Sequence, residues 1–126
     1  MFLHHRTRAF VLKKEKSGET DQFLWVYSKD WGRLRILGRG LNKMDSKLRS
    51  GAGLFSLAEI EFIQGKSQKV LTDAICLESF PRRKESLGAL RLLFRIEKLF
   101  LLLVTGQEAD TRLWRLLEES WTVLKQ

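Results

Sequence analysis

The chain contains one cysteine, one proline and two histidines among its 126 residues. Cys76 alone cannot form an intrachain disulfide or furnish a cysteine-rich zinc site. Its place in the apolar run AICLESF predicts a buried small side chain and a reducing compartment. His4 and His5 are adjacent and have no Cys or carboxylate companions at ligand spacing, so neither a metal nor any other cofactor is expected. No nucleophile–base motif and no phosphate-binding glycine loop is present. Glu59 and Glu61 share one strand parity, but two carboxylates do not make a nuclease metal cluster, and the expectation is a protein that is not an enzyme. The run FLLLV falls far short of the roughly 20 apolar residues that span a membrane. The N-terminal MFLHHRTRAFVL carries charge inside its apolar stretch and lacks a cleavage-site pattern, so it does not read as a secretory signal.

Basic and apolar side chains are abundant instead. Lys and Arg number 23 against 15 acids, for a net charge of +8, and the pI near 10.0 points to an anionic partner. A hydrophobic fraction of 44% is enough to build a core. The first part of the chain has strand periodicity. Residues 6–14 centre on the continuous apolar AFVL, which suits a strand covered on both faces. EKSGETD follows as a loop, and then QFLWVYS (22–28) and RLRILGR (33–39) alternate around a KDWG hairpin turn. AEIEFI (58–63) puts Ala58, Ile60 and Phe62 inward, GKSQ turns, and KVLTDAICL (69–77) is the last strand. Five short strands with a long loop before the fourth predict a small closed β-barrel of the OB-fold type over residues 1–79.

Residues 80–126 read as helix. Pro81 suits a first helical turn, Gly106 a C-terminal cap and Asp110 the N-cap of a second helix. The second helix has one apolar face: Leu113, Leu116, Leu117, Trp121 and Leu124. The first is apolar over most of its circumference. Leu87, Leu90, Phe94 and Leu101 make one face, Leu92, Ile96, Leu99, Phe100 and Leu103 cover much of the rest, and only Lys84, Arg91, Arg95 and Lys98 form a polar stripe. So wide an apolar surface predicts contact with something outside this chain, a homo-oligomeric copy included.

The positive charge is concentrated in GRLRILGRGLNKMDSKLRSG, residues 32–51, where six bases face the single acid Asp45 and supply +5 of the net charge. Leu34 and Ile36 belong inside the barrel, so Arg33, Arg35 and Arg39 point out. Phe23, Trp25 and Tyr27 share one parity of the neighbouring strand. With the hairpin in register, aromatics lie beside arginines on the outer face, the chemistry by which single-stranded nucleic acid is held. Phe23 and Tyr27 are equally readable as core; Trp25 is the better stacking candidate. Trp31 either touches ligand or plugs a barrel end. The candidate nucleic-acid contacts are Trp25, Lys29, Arg33, Arg35, Arg39, Lys43, Lys47 and Arg49. Arg82, Arg83 and Lys84 add a second, smaller cluster.

RTRAFVLKKEKSGETDQFLWVYSKDWGRLRILGRG resembles the start of the RecO family of bacterial DNA repair proteins. The shared features are a strand ending in A-x-V-L (Thr7–Leu12), a G-E-x-D turn (Gly18–Asp21), Ser28, Gly32–Leu34 and the basic-Gly pair Arg39–Gly40. SKLRSGAGLF and LESFPRRKESL resemble later family segments. The resemblance implies an OB-fold followed by a helical domain. It also implies binding of single- and double-stranded DNA through basic barrel residues, annealing of complementary strands, and recombinase loading in the bacterial cytoplasm, at the nucleoid. The partners implied are RecR and the acidic tail of single-strand binding protein. Leu54 stands where the family usually has proline, and Trp25 where a smaller or polar residue is common. Family members are longer, and many carry a four-cysteine zinc site within the helical domain; the expectation is that this chain ends before any such site.

Two other functions fit the residues. A protein-docking adaptor would use the apolar first helix and meet an acidic peptide with the basic loop. A small OB protein that binds RNA would use the same outer face.

Overall fold

The computed structural model describes residues 3–41, 48, 52–79, 87–103 and 109–125. Strands β1 (His4–Ser17), β2 (Asp21–Ser28), β3 (Gly32–Gly38), β4 (Leu57–Gln64) and β5 (Lys69–Glu78) precede helices α1 (Leu87–Leu103) and α2 (Thr111–Lys125). The strands close into a barrel in the order β1-β2-β3-β5-β4. The β3–β5 seam is parallel and the others are antiparallel. This is the five-stranded OB-fold arrangement with two helices after it. Pro81, the cluster Arg82–Lys84 and Gly106 lie outside the described residues.

The barrel interior follows the period-two pattern. Ala9, Val11, Leu24, Val26, Leu34, Ile36, Ala58, Ile60 and Phe62 form its buried core. The AFVL run is covered on both faces, as its lack of alternation predicts. Phe10 and Leu12 point away from the barrel interior into a second core with Tyr27, Phe55, Leu93, Phe100, Trp114, Leu117 and Trp121. Each side chain buried this way contributes about 1.5–3 kcal/mol, which is what docks the helices on the barrel. β1 is longer than its apolar centre. Its second half pairs with β2 from Lys13↔Trp25 to Ser17↔Asp21, so the expected loop contracts to a turn at Gly18, whose φ is 73°. Pairing satisfies backbone groups that a loop would leave to water. A register shift between Val11 and Lys13 accommodates Leu12 as an extra residue and turns Lys13 and Glu15 to the outer side.

The helices differ from expectation in which faces they bury. α1 turns Leu93, Glu97 and Phe100 toward the barrel. Leu87, Leu92, Phe94, Leu99 and Leu102 are exposed. In α2, Trp114 is buried and Leu116 is half exposed, because the docking face centres on Trp114, Leu117 and Trp121. Asp110 caps α2, its Oδ1 accepting from the backbone of Arg112 at 2.9 Å and of Leu113 at 3.3 Å. Cys76 is half-buried rather than buried. It lies beyond the point where β5 still packs on the barrel core, and its neighbours Ile75 and Leu77 are exposed. Among the described residues, no helix is long and apolar enough to cross a membrane.

Candidate nucleic-acid interface

The β2–β3 hairpin is in the register that brings aromatics beside arginines. Trp25 pairs with Arg35 and Tyr27 with Arg33. With Leu24, Val26, Leu34 and Ile36 fully buried in the barrel, the intervening side chains emerge on the outer surface. There the Arg35 guanidinium carbon lies 3.6 Å from the Phe23 ring centroid and 5.7 Å from that of Trp25, and the Arg33 guanidinium carbon lies 4.6 Å from Trp25. The Trp25 indole donates to Glu15 Oε1 at 2.8 Å, and Lys13 Nζ sits 3.6 Å from the same oxygen. The bulge in β1 makes this contact possible by rotating Glu15 outward. Arg33 Nη1 donates to the Leu101 carbonyl at 2.9 Å, a cation at the C-terminal end of α1 where the helix dipole favours it.

One end of the aromatic row is closed to a ligand. Tyr27 is buried beneath the helices, edge-on to Phe100 at 5.3 Å and stacked with Trp114 at 6.5 Å. Burial, with a smaller push from Asp110, raises its phenol pKa. Phe23 and Trp25 remain half-buried. Trp31 plugs a barrel end, packing edge-on against Phe62 at 5.6 Å and His5 at 5.2 Å. The turn that carries it is pinned by Thr7, whose hydroxyl donates to Asp30 at 2.8 Å, and by Ser28, whose hydroxyl donates to the Gly32 carbonyl at 2.8 Å. Lys29 is exposed in that turn. Arg39 is exposed just past β3. Beyond it the chain is anchored again. Gly40, at φ 71°, donates its N–H to Asp21 Oδ1 at 2.8 Å, and Leu41 is buried in the barrel core. Lys43, Lys47 and Arg49 lie outside the described residues.

The opposite outer surface has different electrostatics. On β1, β4 and β5, Arg6 bridges Glu61 and Asp73, both at 3.0 Å, and His4 Nδ1 meets Glu61 at 2.8 Å. Hydrogen bonds that Arg6 donates to Asp73 and Glu61 raise its pKa, while those that Glu61 makes with Thr72 and then His4 hold it below the usual carboxylate range. Arg6 and His4 are thus engaged by carboxylates within the fold. On β2–β3, Arg35 has rings for neighbours, and neither Arg35 nor Arg39 has a carboxylate partner among the described residues. On the hairpin face, an exposed cation thus lies beside the half-buried rings of Phe23 and Trp25.

The family model described as Recombination protein O N terminal matches residues 1–80, well over half of the chain. The chain belongs to the RecO family. Among relatives called DNA repair protein RecO, that of Desulfitobacterium hafniense is 34% identical over 73 residues, covering 58% of this chain and 27% of the relative. That of Acaryochloris marina is 29% identical over 121 residues, covering 96% of this chain and 41% of the relative. That of Alkaliphilus metalliredigens is 25% identical over 121 residues, covering 96% of this chain and 49% of the relative. The chain thus spans about half or less of the length of the RecO relatives it matches. All eight candidate contacts, Trp25 to Arg49, fall within the RecO segment.

Three participants escape sequence periodicity: Glu15, which holds the Trp25 indole; Leu101, whose carbonyl holds Arg33; and Asp21, which fixes Gly40. Only Asp21 had a signal, as the last residue of the G-E-x-D turn.

Proposed function

We propose that the chain is a non-enzymatic DNA-binding module of recombinational DNA repair, taking single- and double-stranded DNA on the outer face of β2–β3 and supporting strand annealing and recombinase loading. The supporting observation is the contrast between the two outer surfaces: Arg6 is consumed by carboxylates, whereas Arg35 is exposed beside rings and Arg39 is exposed just past the same strand. Phosphates would be met by these arginines and by Lys29, with the basic residues Lys43, Lys47 and Arg49 following in the chain. RecR and the acidic tail of single-strand binding protein are the proposed protein partners, on the strength of family membership, and the site of action is the bacterial cytoplasm at the nucleoid. Titration of the chain with short single-stranded DNA across salt concentrations tests the proposal. Log K should fall with log salt at a slope of about −0.7 per phosphate neutralised. Absence of binding at low salt would overturn it.

A second reading, a protein-docking adaptor, is favoured by the exposed apolar side chains of the helices: Leu92, Leu99 and Leu102 on α1, Leu116 and Val123 on α2. A stable dimer that ignores oligonucleotides and binds an acidic peptide would select this reading over the first.

A further inference from the structure

The rings and cations on the β2–β3 face are engaged with one another. Trp25 has two guanidinium groups over its ring and donates its N–H to Glu15. Phe23 carries Arg35 at 3.6 Å. A nucleobase stacking on either ring would have to displace a guanidinium and forfeit that cation–π contact. A guanidinium lying against a ring, by contrast, keeps its N–H edge available for an anion, and the planar fork matches two phosphate oxygens. Arg33 is held from the other side by the Leu101 carbonyl, which fixes one end of the arrangement. Arg35 is exposed at its centre.

We infer that Trp25 and Phe23 are positioning residues for Arg35, and that this face recognises the phosphodiester backbone and not the bases. The inference rests on the DNA-binding reading above and narrows its ligand to phosphate groups. It replaces the base-stacking role that the sequence suggests for Trp25. Base identity then has little influence on affinity, because among the described residues both Phe23 and Trp25 on this face already carry a guanidinium.

The test compares the full chain's affinity for an oligothymidylate with that for an abasic sugar–phosphate oligomer of equal length, by fluorescence anisotropy at low salt. The two should bind within about threefold of each other, since a single stacked base would separate them by about fivefold or more. A thymidylate that binds while the abasic oligomer does not overturns this inference and leaves the DNA-binding reading in place. Binding of neither overturns that reading, and this one with it. Trp25→Ala should weaken both complexes by the same factor, about fivefold. Weakening of the thymidylate complex alone, or of neither, contradicts a positioning role. Arg35→Lys keeps the charge and threatens the fold less. It should also weaken both complexes about fivefold with the salt slope unchanged, because a lysine cannot hold a phosphate in a planar fork. An unaltered affinity would rule out the bidentate contact.

Discussion

The indole nitrogen of Trp121 donates to the main-chain carbonyl of Phe55 across 2.7 Å, in a buried setting. Phe55 is the one non-glycine among the described residues with a left-handed backbone, at φ 61°. Its own N–H donates to Val11 on β1 at 2.7 Å, and its ring meets Phe94 of α1 edge-on at 4.9 Å. One residue therefore ties β1, α1 and α2 together. The strained conformation is held by contacts on three sides.

Trp121→Phe should leave that buried carbonyl without a donor and open space under α2. The expected cost is about 2–4 kcal/mol, read as a lower urea midpoint. An unchanged midpoint would show that the helix is held by packing alone.

Tyr27 makes the opposite case. Its hydroxyl is buried and finds no hydrogen-bond partner among the described residues. Tyr27→Phe keeps the ring against Phe100 and Trp114 and removes the unpaired group. Thermal unfolding should show stability unchanged or raised by up to about 1 kcal/mol. A marked loss would mean the hydroxyl is satisfied in solution.

Glu97 is buried in α1, and desolvation raises its pKa above the ordinary 4.5 despite the opposing pull of Lys13 and Lys98. A carboxyl whose pKa is higher folded than unfolded binds its proton more tightly in the folded chain. Stability is then fullest below the unfolded value and declines as pH rises from there through the folded value. Glu97→Gln should accordingly be more stable than the parent near pH 7, with the difference vanishing below about pH 4. A Gln variant that is less stable at neutral pH would contradict this.

Much of the barrel was legible because its signals are local. Alternation in β2, β3 and β4, the two-sided AFVL run and the Asp110 cap all have short-range signatures, and the structure places them as they predict. The candidate site was legible only in part. Parity alone puts Trp25, Arg33 and Arg35 on one outer face. It does not reveal that Tyr27, of the same parity, lies under Phe100 and Trp114, or that Arg33 reaches a carbonyl 68 residues away. Such contacts depend on how the helices return across the barrel, which leaves no periodic mark. The bulge after Val11 is equally silent in the sequence, yet it turns Glu15 toward Trp25.

Gly38 is required by packing. A Cβ there would collide with the side chain of Leu41, which fills the barrel just beyond the end of β3. Gly38→Ala should cost about 1–3 kcal/mol in chemical denaturation and loosen the start of the basic segment. A variant as stable as the parent would show that Leu41 has room to move.

The most direct test of the proposed DNA surface is the salt dependence of oligonucleotide binding in the double charge reversal Arg35→Glu and Arg39→Glu, set against Arg112→Glu and Arg115→Glu on exposed positions of α2. Reversal on the hairpin should flatten the slope of log K against log salt by about 1.4, the equivalent of two phosphate contacts, while the helix pair leaves the slope unchanged. A hairpin variant with the parent's slope would place the DNA elsewhere on the protein.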